Sequence, residues 1–345
     1  MTYKRDLTET VLPYLRRKEF IAIAGPRQSG KTTLLGLLIS RMTQDMKIAR
    51  ENIKFITFED RRLLSQFESD PVEFVKSYIS AGNTGMSYLL IDEFQYAVNG
   101  GQRLKLVYDT MKNIKIIITG SSSLDIRANT GKYMVGRMLT FHLFPFNFGE
   151  FLSAKNTRME KIYRERNKEV LEALFGGKTR KIRRGKDPFA EEILKYYEEY
   201  CIWGGYPAVV LTKNLKERRK VLGEIYDNYI LKDVRTLLQL ASENNLYRLS
   251  QHLAVNIGGI VVYENLCAAS GLDYRNVKKH MRILQETFVC KELKPYFNNR
   301  HKELSRNPKM YFMDMGFRNS LLDNMGGLAA RPDAGKMAEN TVFIM

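Results

Sequence analysis

The chain has 345 residues, 44% of them hydrophobic, enough for two or three packed domains and too many for a disordered polypeptide. Its 55 lysines and arginines outnumber 38 aspartates and glutamates, and the formal charge of +17 favours polyanionic partners, nucleic acid before a membrane surface. No run of 18 apolar residues occurs, MTYKRDLTET lacks a signal-peptide core, and Cys201, Cys267 and Cys290 form neither a disulfide framework nor, with His142, His252, His280 and His301, a zinc spacing; a soluble cytoplasmic protein is expected.

In chain order the first predicted strand is 20–24, FIAIA, and it runs into AGPRQSGKTT and then into LLGLLISRM. Leu34, Leu35, Leu37, Leu38 and Met42 recur at helical spacing, so the loop lies between a buried strand and a helix. Gly25, Pro26, Arg27, Gln28, Ser29, Gly30, Lys31, Thr32 and Thr33 fit the spacing G-x-x-x-x-G-K-[ST]. Glycines let a backbone wrap closely around a polyphosphate, and N–H groups at a helix start point at the anion with a favourable dipole. Lys31 then suits the β and γ phosphates, and the Thr32 hydroxyl suits a Mg²⁺ shell.

The next apolar run, MSYLLIDE, ends in two carboxylates at the edge of a parallel sheet where ligands of α/β folds bind. Asp92 is the expected Mg²⁺ partner, through water, and Glu93 the expected general base. A further strand, 115–119 in NIKIIITGSSS, ends in small hydroxyl residues. Thr119 or Ser121 could sense a γ-phosphate or the attacking water; alternatively these residues simply cap a helix. Gly136 and Arg137 come just before another apolar run, MLTFHLF, in a place suited to an arginine finger. The plainer alternative is an ion pair between Arg137 and a carboxylate at the sheet edge.

These runs together resemble the AAA+ branch of P-loop ATPases. More narrowly, they resemble bacterial and archaeal ATPases that carry G-P-R-x-x-G-K-T-T, I-D-E, T-G-S-S-S, G-R and a Pro-Phe segment leading to F-x-E-F. Here those runs are Gly25 to Thr33, Ile91 to Glu93, Thr119 to Ser123, Gly136 with Arg137, and Pro145 to Phe151. The resemblance covers roughly the first 150 residues. It implies an α/β P-loop NTPase sheet of AAA+ type, sandwiched by helices, with the sensor strand between the cradle strand and the acidic strand. It further implies ATP and Mg²⁺ as ligands, and a homo-oligomer, possible as a ring, in which Arg137 serves a neighbouring subunit.

Beyond this expected core, 1–153, comes a basic insertion, 154–187, with a net charge of +8 over residues 155–186. A helix from Arg158 to Phe175 and the loop GGKTRKIRRGKDP are expected there, either as a solvated linker or as a phosphate contact without sequence preference. Residues 188–240 read as a helical lid interrupted by YCIWGGYPAVV, and Gly204 to Pro207 match a turn of the same ATPases; Arg218, Arg219 and Arg235 are candidate lid arginines.

Residues 241–322 read as a winged helix-turn-helix. Leu246, Leu249, Leu253 and Val255 to Ile257 face inward on its first helix, and Gly271 with Asp273 makes the turn. In the recognition helix, Tyr274 to Thr287, Val277, Met281, Ile283 and Leu284 face the core, while Arg275, Lys278, Lys279 and Arg282 form a basic arc suited to DNA phosphates. Strands 289–293 and 310–313 complete the wing. Residues 323–345 are expected to be a tail; in the ATPases that this chain resembles, a segment similar to GKMAEN opens a further, nuclease-like domain, which the resemblance implies starts here. The whole reads as a Mg²⁺-dependent ATPase acting on or regulated by DNA, or alternatively as a nucleotide switch whose winged helix contacts protein.

Overall fold

Strands buried on both faces read as continuous apolar runs, and three such runs organise the first unit. The computed structural model describes residues 3–79, 85–121, 133–176, 187–227, 243–297 and 306–345. Its contacts divide into two units, 1–144 with 286–288, and 145–285 with 289–345.

The first unit contains β1 (Phe20–Ala24), β2 (Ile53–Thr57), β3 (Ser87–Asp92), β4 (Ile114–Gly120) and β5 (Met138–His142), all parallel, in the order β2-β3-β4-β1-β5. β4 thus lies between β1 and β3, as the resemblance implied. β2 has no counterpart in the sequence reading, because Lys54 and the partly exposed Phe55 break its apolar run.

Helices cover both faces of this sheet. Ile21, Ile23, Leu90 and Ile117 pack with Val11 of α1 (Asp6–Val11) and with Leu34, Leu35 and Leu38 of α2 (Lys31–Gln44). Ala22, Leu89, Ile91, Ile116 and Ile118 pack with residues of α3 (Arg61–Ser69), α4 (Pro71–Lys76) and α5 (Gly100–Thr110). Each fully buried aliphatic side chain here stabilises the layer by about 1.5–3 kcal/mol.

The second unit is largely helical: α6 (Phe148–Lys155), α7 (Thr157–Phe175), α8 (Ala190–Trp203), α9 (Pro207–Leu211), α10 (Leu215–Tyr226), α11 (Glu243–Val255), α12 (Tyr263–Ser270) and α13 (Tyr274–Glu286). The antiparallel strands β6 (Cys290–Leu293) and β7 (Lys309–Phe312) follow, then α14 (Met315–Leu321) and α15 (Ala334–Ile344). Val255, expected in the core of α11, is 56% exposed, while its neighbours Leu253, Ala254 and Ile257 are buried. It is the last residue of that helix, where the inward face ends.

Residues 334–344, expected to belong to a tail, pack inside this unit. Asn340 exchanges two hydrogen bonds with the backbone of Phe312, at 2.7 and 2.8 Å, and Phe343 stacks on Tyr311 at 4.4 Å. The Cys201 Sγ lies 3.2 Å from the Thr341 hydroxyl. Among the described residues no helix is long and apolar enough to cross a membrane.

Candidate active site

A parallel sheet delivers the ends of β1, β3 and β4 to one edge, and the sequence puts its phosphate-loop and carboxylate motifs there. The loop leaves β1 at Gly25, whose N–H donates to the Gly120 carbonyl at 3.2 Å. A Cβ on Gly25 would lie 2.1 Å from the Leu143 carbonyl oxygen, so only glycine fits against the end of β5. Gln28 and Gly30 both take left-handed conformations, at φ 60° and 93°, and fold the chain into the first turn of α2. Lys31 is buried at 5% exposure, and its Nζ donates to the Gly25 and Pro26 carbonyls at 3.0 and 3.1 Å. The lysine the motif requires therefore already bridges back over the loop. Arg27 is half-buried, and Thr33 lies exposed one residue beyond Thr32.

Opposite the loop, Asp92 is buried at 4% exposure and receives three donors. The Thr32 hydroxyl donates to Oδ2 at 2.5 Å, the Thr119 hydroxyl to Oδ1, and the Glu93 N–H to Oδ1 at 3.2 Å. Thr119 in turn accepts from the Glu93 N–H at 3.1 Å. The buried Thr119 hydroxyl thus ties the two acidic residues together. Ser121, the other sensor candidate, is buried just beyond the end of β4.

Glu93 itself adopts φ 54° and ψ 43°, an uncommon conformation for a residue with a side chain. Phe94 holds it there, wedged among Phe58 and Phe67 at ring distances of 5.6 and 5.8 Å. The Gln95 amide donates to the Glu93 carboxylate.

One contributor was invisible in the sequence. Arg5, 4% exposed, reaches from the start of α1 to the Ser29 carbonyl at 2.6 Å and the Phe144 carbonyl at 2.5 Å. No local pattern announces a contact to residues so distant along the chain.

Arg137 lies at the other edge of the sheet. Its carbonyl accepts from the Phe20 N–H at 2.8 Å, and its Nε donates to Asp109 at 3.1 Å with the guanidinium 5.8 Å from the Tyr108 ring centre. Within one chain it therefore makes the ion pair anticipated as its plainer role and is not gathered with Lys31 and Glu93.

In the second unit, Arg275, Lys278, Lys279 and Arg282 are all exposed on α13, with Val277, His280, Met281, Ile283 and Leu284 buried behind them. The Lys278 ammonium rests over the rings of Tyr274 and Tyr263, at 4.4 and 5.6 Å. His280 was not anticipated; burial lowers its pKa below the ordinary value, and its Nδ1 lies 2.7 Å from the Asn276 carbonyl oxygen. Of the lid candidates, Arg218 is packed on Glu199 at 2.6 Å and over Trp203, and Arg219 pairs with Asp323. Arg235 and the basic loop Lys178 to Lys186 lie outside the described residues.

The loop suits a polyphosphate on three grounds. It has room only for glycine at its entrance, α2 begins without a side-chain cap on its first N–H groups, and the buried Ser29 hydroxyl has no hydrogen-bond partner among the described residues. The Thr32 hydroxyl and the Asp92 carboxylate are hard oxygen donors of the kind Mg²⁺ takes.

Comparison with known proteins agrees with this geometry. Residues 17–152 match the AAA domain family. Residues 194–326 match a domain of unknown function, DUF8612. An uncharacterized protein of Haemophilus influenzae is 27% identical over 331 residues, covering 93% of this chain and 72% of that protein. Protein MJ1544 of Methanocaldococcus jannaschii, also uncharacterized, is 27% identical over 282 residues, covering 82% of this chain and 53% of its own length. The Walker-type ATPase of Pyrococcus abyssi has a similar fold, with a TM-score of 0.55 at 13% identity over 93% of this chain and 96% of that one. The AAA-type α/β fold, a parallel sheet between helices followed by a helical region, is common to both.

Proposed function

We propose that this chain binds ATP with Mg²⁺ at the loop from Gly25 to Thr33 and hydrolyses it. The observation that carries the reading is the meeting of three motif residues at one sheet edge: Thr32 on Asp92 at 2.5 Å, with Glu93 next in sequence and tied through Thr119. Lys31 exchanges its loop carbonyls for phosphate oxygens, neutralising charge in the ground state. Thr32 and Asp92 would hold Mg²⁺, which when bound supplies charge neutralisation to the phosphates. Glu93, fixed by Phe94 and Gln95, orients and deprotonates the attacking water.

The basic arc of α13, the pairing of β6 with β7 and the charge of +17 support a winged-helix module that engages DNA phosphates. A second reading, a slow nucleotide switch whose module meets protein, is favoured by one observation. Lys278 is already engaged by two tyrosine rings, which lessens its availability to phosphate. ATPase rate measured with and without Mg²⁺ and with single-stranded, double-stranded and branched DNA across a salt series separates them. Stimulation by DNA that fades with salt supports the first reading, an ATPase indifferent to every DNA supports the second, and absence of Mg²⁺-dependent turnover under all conditions defeats both.

A further inference from the structure

We infer that Arg5 is a positioning residue for the phosphate loop, and that the segment from Arg5 through α1 is thereby coupled to nucleotide binding. The inference rests on the ATP reading of the loop. A trans peptide holds its C=O and N–H on opposite sides of one plane, so a group that fixes the carbonyl also aims the following N–H. Arg5 Nη1 donates to the Ser29 carbonyl at 2.6 Å, which turns the Gly30 N–H away from Arg5. That N–H belongs to the residue capping α2, where a helix start presents its donors to an anion.

The same guanidinium donates through Nη2 to the Phe144 carbonyl at 2.5 Å. The adjacent Leu143 is the residue whose N–H donates to Ala24 at 2.8 Å and whose carbonyl closes over Gly25. One planar fork thus ties the late part of the loop to the chain segment that abuts its beginning. An arginine suits this double contact because its donors are fixed in a plane; a lysine ammonium is a point donor on a flexible stem. The loop has reason to need the support, since Gln28, a residue with a side chain, is left-handed. Arg5 also directly precedes α1, and α1 is joined to α2 a second time by Arg41 and Glu9 at 2.9 Å. Ordering of the loop around a polyphosphate is therefore felt at α1.

The test uses the full chain and ATP or ADP as probes. Arg5→Gln and Arg5→Lys are each titrated by calorimetry, and amide exchange is followed in the wild type with and without nucleotide. Loss of one or two charge-assisted hydrogen bonds predicts affinity weaker by about tenfold to a hundredfold in Arg5→Gln, with the rise in KM exceeding the fall in kcat. Arg5→Lys should fall between Arg5→Gln and wild type. In the wild type, nucleotide should slow amide exchange across 5–11 as well as 25–33. Folded variants with wild-type affinity, or exchange that slows in 25–33 while 5–11 is unchanged, would overturn the inference. A variant that does not fold leaves the wild-type exchange measurement to decide. Wild-type chain that binds neither nucleotide would instead overturn the ATP reading itself.

Discussion

Lys31 and Glu93 stand at one edge of the sheet, and the proposed ATPase reading gives them different moments of action that substitutions should separate. Removing the buried ammonium in Lys31→Ala should weaken ATP binding about a hundredfold or more, whereas Glu93→Gln should keep the affinity and lose turnover. Equal binding losses in equilibrium titrations of the two variants would refute that division of labour. Thr119→Val, nearly isosteric, removes a donor to Asp92 and the acceptor of the Glu93 N–H. Turnover should drop about tenfold with little change in ATP affinity, measured by steady-state kinetics.

Away from the site, Lys115 is fully buried and its Nζ donates to the carbonyls of Tyr14, Arg17 and Glu19. Burial lowers its pKa from 10.5 to about 8. Between those values the unfolded chain binds more protons than the folded one, so this residue makes stability rise with pH from about 8 to 10.5. Lys115→Met should lower stability near pH 7 by stranding three carbonyls, and should remove that rise; denaturant midpoints of both proteins across the window check it.

Within the second unit, two short sequences explain each other only when brought together. Gly204 has φ +72°, and a Cβ there would lie 2.2 Å from Asp314 Oδ1, while a Cβ on Gly316 would lie 2.0 Å from the Trp203 carbonyl oxygen. Asp314 caps α14 through the Phe317 N–H at 2.8 Å and accepts from the Gly205 N–H at 2.7 Å, and burial pushes its pKa up to about 6. The turn between α8 and α9 is thus locked to the start of α14. Gly316→Ala should cost about 3 kcal/mol or more, because the clash is with backbone and cannot be relieved by a rotamer. A melting temperature within a degree or two of wild type would contradict the lock. On α13 the test is electrostatic: Lys278→Glu with Lys279→Glu should weaken DNA binding and reduce the slope of log affinity against log salt by about one per lost phosphate contact. An unchanged slope would favour a protein partner for this helix.

At the scale of the whole molecule, the proposed assembly of several copies can be tested through Arg137. Its pair with Asp109 is exposed, at 35% and 45% for the two side chains, and such pairs contribute little, so leaving it to serve the nucleotide of a second copy costs about 1 kcal/mol or less. A guanidinium supplied in trans can raise phosphoryl-transfer rates by about 10³-fold or more. Mixing Arg137→Ala subunits, which keep the loop, with Lys31→Ala subunits, which keep the arginine, should restore ATPase activity that neither has alone, and activity should rise with protein concentration. Full activity of Arg137→Ala as a monomer would end both the finger and the oligomer.

Local chemistry made the strand-loop-helix around Gly25 and Lys31 legible in the sequence, as it did the acidic end of β3 and the core face of α13, because each is set by spacing along one element. The inward set Val277, Met281, Ile283 and Leu284 follows from helical period alone. β2 escaped because its strand is partly exposed, and a broken apolar run carries little signal. What the tertiary structure decided is which side chains finish one another's hydrogen bonds across the chain. Thr119 orients Asp92 because β4 lies beside β3, and Asp314 fits only over Gly204, more than a hundred residues away. Arg5 reaches Ser29 and Phe144 because α1 packs on the sheet face that carries α2. Such contacts depend on register and on the order of strands, which a one-dimensional pattern of residue types does not encode.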